Sequence, residues 1–189
     1  MRKIGILGGT FDPPHIGHLV IAEETRVQLD LEEIWFMPSN TPPHKDAAKT
    51  GAEERSEMVK RAVKGNPHFR LNTIETHRLG KSYTFDTMKV LRAEHPDIYF
   101  YFIIGADMVE YLPHWDRIDE LLELVQFVGV KRQGYSLSTT YPIIEVDVPF
   151  VEISSTMIRE RIRNKLPIRY LVTESVNEYL KEQQLYEDR

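Results

Sequence analysis

Short apolar runs alternate with longer stretches of helical period along this chain, and that alternation constrains the fold more than any other feature. Strands are predicted at Ile4–Leu7, Ile34–Met37, Phe69–Ile74, Ile98–Ile104, Phe127–Val130 and Ile143–Val146. Helices are predicted at Leu19–Leu29, Glu53–Val63, Thr84–Glu94, Ile118–Leu124, Thr156–Asn164 and Thr173–Gln183. Strands that alternate with helices indicate βαβ units. With right-handed crossovers they predict an α/β fold, a doubly wound and mostly parallel sheet, followed by helices at the end of the chain.

The composition fits one globular domain. The 189 residues are 41% hydrophobic and 28% charged, and no repeat, low-complexity tract or linker divides them. We therefore expect one domain over residues 1–189, helical from about 154 to 189, with Ile98–Ile104 at the centre of the sheet. That run is too short to span a bilayer, and the first apolar stretch stops at Gly8-Gly9, too early for a signal peptide. These features predict a cytoplasmic protein without a membrane partner.

Charge and cysteine content exclude several classes of function. The formal net charge of −5 argues against a general nucleic-acid binder, so we expect no polymeric nucleic acid as a partner. The chain has no cysteine, which excludes disulfides, thiolate zinc sites, iron–sulfur clusters and a cysteine nucleophile. No Gly-x-Ser-x-Gly string occurs, which argues against a serine hydrolase. The sequence leaves a homo-oligomer open.

The block Gly8–His18 follows the first strand, at the edge of the sheet where ligands bind in such folds. Its two adjacent glycines let backbone N–H groups approach an anion and permit positive φ. Its last two residues open a helix, and a helix N-terminus favours phosphate. His15 and His18 are one helical turn apart, so both imidazoles can face one way. Zinc would need further protein ligands that the scattered remaining histidines do not supply, so the block predicts a phosphate site without a protein-bound metal.

Four later blocks place polar or aromatic residues after other strands or at a helix start. They are Pro42-Pro43-His44-Lys45, Ser82-Tyr83-Thr84-Phe85-Asp86-Thr87, Ile104-Gly105-Ala106-Asp107-Met108 with Trp115, and Ile153-Ser154-Ser155-Thr156-Met157-Ile158-Arg159. Cations, hydroxyls and helix-start N–H groups suit phosphates and carboxylates, and an aspartate after a strand suits ribose hydroxyls. Taken singly, each block has an ordinary alternative: a solvated lysine, helix capping, an N-cap at Asp107, or a tryptophan at the core edge. Gly80-Lys81-Ser82 imitates a P-loop, but Glu75 stands where that motif needs a glycine.

Taken together, these blocks resemble a known family. His15-Ile16-Gly17-His18 is similar to the HxGH signature of the nucleotidyltransferase superfamily, which includes the class I aminoacyl-tRNA synthetases. The whole ordered set of blocks resembles the nicotinate-nucleotide adenylyltransferases over nearly the entire chain. This resemblance implies a Rossmann-like nucleotidyltransferase domain that transfers the adenylyl group of ATP to nicotinate mononucleotide, giving deamido-NAD and pyrophosphate in NAD biosynthesis. It implies direct attack of the mononucleotide phosphate on the α-phosphorus, with Mg²⁺ carried by the ATP phosphates rather than by protein ligands.

The resemblance also implies a role for each matched residue. It makes His15, His18 and Arg159 the catalytic residues, with His18 stabilising the pentacoordinate transition state. It assigns contacts with ATP to Gly8, Gly9, Thr10, Phe11, His15, His18, Gly105, Asp107, Ser155, Thr156 and Arg159. It assigns contacts with the mononucleotide to His44, Lys45, Tyr83, Thr84 and Trp115. Within this second set, the first two residues approach the phosphate, the next two face the nicotinate carboxylate, and the tryptophan stacks on the ring.

Three alternatives compete with this interpretation. The same fold could act on nicotinamide mononucleotide, pantetheine phosphate or a cytidylyl acceptor; the Tyr83-Thr84 and Trp115 blocks argue against the last two, which lack a charged aromatic ring. A tRNA synthetase is excluded because the chain is too short and too acidic. A non-catalytic nucleotide-binding module would not need both His18 and Arg159. The preference for nicotinate over nicotinamide depends on the helix start at Tyr83-Thr84.

Overall fold

The structure is a computed structural model that describes residues 1–40, 48–78, 82–131 and 137–187. Its strands are β1 (Arg2–Gly9), β2 (Glu33–Pro38), β3 (Phe69–Leu71), β4 (Ile98–Gly105), β5 (Gln126–Lys131) and β6 (Ile143–Asp147). Its helices are α1 (Ile16–Gln28), α2 (Ala52–Val63), α3 (Thr84–Glu94), α4 (Ala106–Tyr111), α5 (Ile118–Leu124), α6 (Ser155–Arg163) and α7 (Glu174–Glu182). A short 3₁₀ turn, Leu112–His114, follows α4.

The strands form one parallel sheet in the order β3-β2-β1-β4-β5-β6. β1 and β4 lie side by side at its centre, with Ile6 opposite Phe102 and Leu7 opposite Ile103. The strand order reverses between these two strands, so the connections leave in opposite directions and open a crevice at their carboxyl ends. The predicted doubly wound α/β fold, with Ile98–Ile104 in a central strand, is confirmed.

Both faces of the sheet are apolar, and helices cover each of them. Ile4 and Ile6 of β1 face a cluster that includes residues of α3, α4 and α5. Leu7, the next residue in β1, faces a second cluster with residues of α1 and α2. Neighbouring residues of β1 therefore pack on opposite faces, which is why it reads as a continuous apolar run rather than an alternating one.

A third layer carries α6 and α7. Ile158 of α6 and Val176 and Leu180 of α7 pack against Met58 and Ala62 on the outer side of α2. This layer matters for the site because it holds the N-terminus of α6 beside the first loop of the chain. Within the described ranges no helix is long and apolar enough to cross a bilayer.

Two of the differences from the predicted elements have a clear local cause. β3 ends at Leu71 rather than Ile74, because the side chain of Asn72 accepts a hydrogen bond from the Ile74 N–H at 3.0 Å and turns the chain away from the sheet. α4 was not predicted as a helix. It is six residues long with Val109 as its buried residue, so it offers no apolar period that a sequence pattern could detect.

Candidate active site

The first loop leaves β1 at the central crevice. Gly8 is exposed at the strand end, while Phe11 has a φ of 52° and is 2% exposed. The positive φ expected of the glycines therefore falls on Phe11. Gly9 packs closely on this side chain: a Cβ there would lie 3.1 Å from the Phe11 ring, which would have to shift by a few tenths of an ångström. The Phe11 ring is packed beneath the loop, edge-on to His18 at 4.9 Å, so only its backbone faces the crevice side.

The loop ends at two stacked histidines. His15 is the N-cap of α1 and His18 lies in its first turn, with ring centroids 3.7 Å apart and an interplanar angle of 27°. The backbone N–H of His15 donates to Nδ1 of His18 at 3.1 Å. Because Nδ1 of His18 accepts this bond, the neutral ring carries its proton on Nε2. The backbone thus selects the tautomer of His18 and presents an Nε2–H donor on the far side of the ring.

The N-terminus of α6 contacts the same loop directly. The Ser155 hydroxyl donates to the Pro13 carbonyl at 2.8 Å, and Nη1 of Arg159 donates to the Asp12 carbonyl at 2.7 Å. Nη2 of Arg159 donates to the Thr156 hydroxyl at 3.1 Å, and Nε is buried with no hydrogen-bond partner among the described residues. Residues about 140 positions apart in the chain are therefore in contact. The two helix N-termini that converge here both carry partial positive charge and favour an anion.

Asp12 is a buried carboxylate at the centre of this loop, and the sequence analysis did not single it out. It is 4% exposed and accepts hydrogen bonds from the Lys49 N–H, the Thr50 hydroxyl and the Tyr186 hydroxyl at 2.6, 2.5 and 2.6 Å. Its position inside Gly8–His18 does not indicate that the side chain is buried, because the residues that donate to it lie far along the chain. The loop is thus fixed through a side chain as well as through its backbone.

Arg55 is a second buried charge that sequence reasoning missed. It is 1% exposed and donates to the carbonyls of Thr10, Ser39 and Asn40 at 2.8, 2.6 and 3.2 Å. Burial lowers the pKa of Arg55, and the nearby Asp12 carboxylate opposes that shift. One signal was present: Arg55 lies three residues before Met58, on the buried stripe of α2.

The end of β4 supplies the other side of the crevice. Gly105 is the N-cap of α4, and Asp107 is exposed in the first turn of that helix. The alternative of an N-cap at Asp107 is therefore wrong. A Cβ on Gly105 would lie 2.9 Å from Oδ1 of Asp107, so the exposed carboxylate lies directly against this backbone position.

Tyr83, Thr84 and Trp115 lie on the α3–α5 side of the sheet. Tyr83 is the N-cap of α3 and makes no side-chain cap bond within the described chain, which leaves first-turn N–H groups for an anion. Trp115 is half-buried, edge-on to Phe102 and Phe127 at 5.9 and 5.7 Å. It therefore lies at the edge of the core, which is the ordinary alternative that the sequence offered for this residue. Its Nε1 is buried without a hydrogen-bond partner among the described residues.

Arg117 links α3, which begins at Thr84, with α5, which follows Trp115. Its guanidinium lies 3.8 Å from the centroid of the Phe85 ring in α3, and it forms two hydrogen bonds with Glu120 of α5 at 2.6 and 2.5 Å. The contacts found among described residues do not join Trp115 or Tyr83 to the histidine pair. His44 and Lys45, the remaining predicted acceptor residues, lie outside the described residues.

Glu75 is a buried acid below the first turns of α3. It is 6% exposed and accepts a hydrogen bond from the Thr87 hydroxyl at 2.9 Å, and that hydroxyl accepts one from Arg78 at 3.0 Å. Burial raises the pKa of Glu75 to about 7, against the smaller effects of Thr87 and Arg78. Sequence reasoning used Glu75 only to reject a P-loop and missed its burial.

Comparison with known proteins agrees with this geometry. The cytidylyltransferase-like family model matches residues 6–161. The protein of Bacillus subtilis named nicotinate-nucleotide adenylyltransferase is 53% identical over 99% of this chain and 100% of its own length. The protein of Oceanobacillus iheyensis named probable nicotinate-nucleotide adenylyltransferase is 57% identical over 98% of this chain and 97% of its own.

A solved structure has the same fold at much lower sequence identity. The Plasmodium falciparum nicotinic acid mononucleotide adenylyltransferase complexed with NaAD matches with a TM-score of 0.82 and 21% identity, over 98% of both chains. The family match and the two bacterial relatives are decisive because they cover most of the sequence. The chain belongs to the cytidylyltransferase-like family and, within it, to the nicotinate-nucleotide adenylyltransferases.

Proposed function

We propose that the crevice between β1 and β4 transfers the adenylyl group of ATP to nicotinate mononucleotide, giving deamido-NAD and pyrophosphate. The observation that carries the proposal is the contact of the α6 N-terminus with the first loop, through Ser155 to Pro13 and Arg159 to Asp12. It places a guanidinium, hydroxyls and two helix N-termini beside a histidine pair. Such a set of groups suits a polyphosphate, and the two bacterial relatives of this chain are named for this reaction.

The reaction needs alignment and charge stabilisation rather than a protein nucleophile. A phosphate oxygen of the mononucleotide attacks the α-phosphorus of ATP, and the bond from that phosphorus to the bridging oxygen of the pyrophosphate group breaks. Negative charge develops on the oxygens of the transferring group, where His15 and His18 act as hydrogen-bond donors; for His18 the donor is Nε2–H, the tautomer that the His15 backbone selects. Ser155, Thr156 and Arg159 hold the β- and γ-phosphates and then the leaving pyrophosphate.

The remaining ATP contacts lie at the ends of β1 and β4. Gly8, Gly9, Thr10 and Phe11 contribute through their backbone, in agreement with the buried Phe11 ring. Gly105 lets ATP approach closely, and the exposed Asp107 carboxylate accepts hydrogen bonds from ribose hydroxyls.

The mononucleotide lies on the α3–α5 side. The first-turn N–H groups that follow Tyr83 are assigned to the nicotinate carboxylate, since the Tyr83 side chain makes no cap bond, although Asp86 places an acid in the same turn. Trp115, whose ring is nearly perpendicular to those of Phe102 and Phe127, is assigned to stack on the pyridine ring. His44 and Lys45 are assigned to the mononucleotide phosphate.

The site fits a Mg²⁺ ion held by phosphates rather than by protein. Among the described residues no group of three or more histidine, aspartate or glutamate side chains is placed to hold a metal. The side chains that converge are imidazoles, hydroxyls and a guanidinium, which bind anions. When bound to the ATP phosphates, Mg²⁺ supplies neutralisation of their charge.

Pyrophosphate release with ATP and Mg²⁺ tests this function. We expect fast release with nicotinate mononucleotide, slower release with nicotinamide mononucleotide, and none with pantetheine phosphate. Preference for the nicotinamide compound would keep the mechanism and refute the carboxylate site at Tyr83-Thr84. Release with pantetheine phosphate alone, or with none of the three acceptors, would refute the proposed reaction.

A further inference from the structure

We propose that Tyr186 is a positioning residue for the transfer reaction, acting through the buried Asp12 carboxylate on Arg159 and the first loop. This inference depends on the function proposed above. Tyr186 follows α7 and lies 174 residues from Asp12 in sequence, yet its hydroxyl donates to Oδ1 of Asp12 at 2.6 Å. No pattern in the sequence connects the two residues.

Asp12 connects Tyr186 to the residues that are proposed to act on the phosphates. Its carbonyl accepts the hydrogen bond of Arg159 at 2.7 Å, and the next carbonyl, that of Pro13, accepts the hydrogen bond of Ser155 at 2.8 Å. His15 is three residues further along the loop. A displacement of Asp12 therefore moves the guanidinium that holds the leaving group relative to the histidine pair.

The carboxylate of Asp12 is held by donors from separate parts of the chain. Lys49 and Thr50 precede α2, while Tyr186 comes from the layer of α6 and α7. Because the carboxylate is 4% exposed, water is poorly placed to replace a lost donor. Hydrogen bonds to a buried ion are stronger than neutral ones, and an unmet one is costly.

Arg55 also restrains the same loop. It donates to the carbonyl of Thr10, two residues before Asp12, and to that of Ser39. Because Arg55 and α6 both hold the loop through hydrogen bonds, removal of the Tyr186 donor shifts the loop only within a narrow range. A small shift is sufficient, since misplacement of catalytic groups by about 1 Å lowers rates by up to roughly 10².

The hydroxyl of Tyr186 is a constant donor. The side chain packs at the edge of the α2–α6–α7 cluster, which accounts for its burial. Burial, followed by the Asp12 carboxylate, raises the pKa of Tyr186 well above that of a free tyrosine. The hydroxyl thus keeps its proton over the working pH range, and the contact acts as a fixed restraint rather than a switch.

The test compares Tyr186→Phe with Tyr179→Phe. Tyr179 is a matched control because it belongs to the same cluster, is 9% exposed and packs its ring on Arg61, away from Asp12. We expect Tyr186→Phe to lower kcat roughly five- to tenfold, with KM for both substrates within about twofold of wild type. Tyr179→Phe keeps wild-type kcat, and thermal unfolding midpoints report the stability of both variants.

Hydrogen exchange at the Lys49 amide gives a readout that does not depend on activity. That N–H donates to Asp12, so Tyr186→Phe should exchange it faster, and Tyr179→Phe should not. Unchanged kcat in Tyr186→Phe, equal kcat losses in the two variants, or unchanged Lys49 exchange would each overturn the positioning role. Absence of transfer by the wild-type protein would instead refute the proposed function and the positioning role with it.

Discussion

The ATP side and the acceptor side of the crevice are built in different ways. On the ATP side, side chains of α6 donate hydrogen bonds to backbone carbonyls of the first loop, and buried charges hold that loop from below. On the acceptor side, Trp115 and Phe85 are held by ring packing and by the Arg117 guanidinium. Hydrogen bonds fix direction as well as distance, whereas ring packing fixes mainly position. Under the proposed function, the reacting phosphates meet the side that is fixed in direction, and the acceptor ring meets the side that is lined by aromatic rings.

The largest expected effect is on the ATP side. His18→Ala should lower kcat by roughly 10²–10³, because it removes one transition-state donor in a preorganised site. The measurement is steady-state pyrophosphate release, with circular dichroism to show that the variant is folded. His68→Ala is a suitable control, since His68 is exposed at the start of β3. A folded His18→Ala protein with a near-wild-type rate would show that the histidine pair does not act on the transferring group.

Trp115→Ala should affect the acceptor side selectively. We expect KM for nicotinate mononucleotide to rise roughly five- to tenfold, the loss of one aromatic contact, while KM for ATP changes by less than about twofold. Trp115→Phe keeps a ring against Phe102 and Phe127 and should restore most of the difference. Equal increases in both KM values would place Trp115 outside the acceptor site and remove the contrast between the two sides.

A smaller effect is expected on the free energy of unfolding, through Glu75, the buried acid below α3. The pKa of Glu75 is raised by burial from 4.5 to about 7, so folding favours its protonated form. Its contribution to stability is full below about pH 4.5 and is lost as the pH rises through about 7. Glu75→Gln cannot ionise and should raise the free energy of unfolding at pH 8 by about 2 kcal/mol, with little change at pH 5.

Denaturant unfolding at the two pH values measures this difference. Glu94→Gln makes the same substitution at an exposed position of α3 and should change neither value. If Glu75→Gln destabilised the protein equally at both pH values, Glu75 would be ionised in the folded state. Thr87 and Arg78 would then form a charged network rather than a neutral hydrogen-bonded one.

The sequence predicted the fold well because its dominant signal is local. The helices at Thr84–Glu94 and Ile118–Leu124 were predicted to the residue, since each has an apolar stripe and clear ends. α4 was not predicted, because six residues with one buried side chain show no helical period of apolar residues. The prediction that the polar blocks lie at one edge came from a topological rule, and the contact of the α6 N-terminus with the first loop agrees with it for two of the blocks.

The supports of the site could not be predicted in the same way. Asp12, Arg55 and Tyr186 are recognised only when the chain has folded, because their partners lie up to 174 positions away. Glu75 has a closer partner in Thr87, but its burial depends on how α3 packs on the sheet. Local patterns thus do not identify buried residues whose partners lie far away in the sequence.

The proposed function makes Arg159 on α6 hold the leaving pyrophosphate, on the ATP side alone. Calorimetric titration of pyrophosphate and of nicotinate mononucleotide into Arg159→Ala tests it most directly. Arg163→Ala, an exposed arginine at the end of the same helix, is the control. We predict pyrophosphate binding at least about tenfold weaker in Arg159→Ala only, with mononucleotide binding unchanged in both variants. Pyrophosphate affinity equal to wild type, or an equal loss of affinity for both ligands, would contradict this role of Arg159.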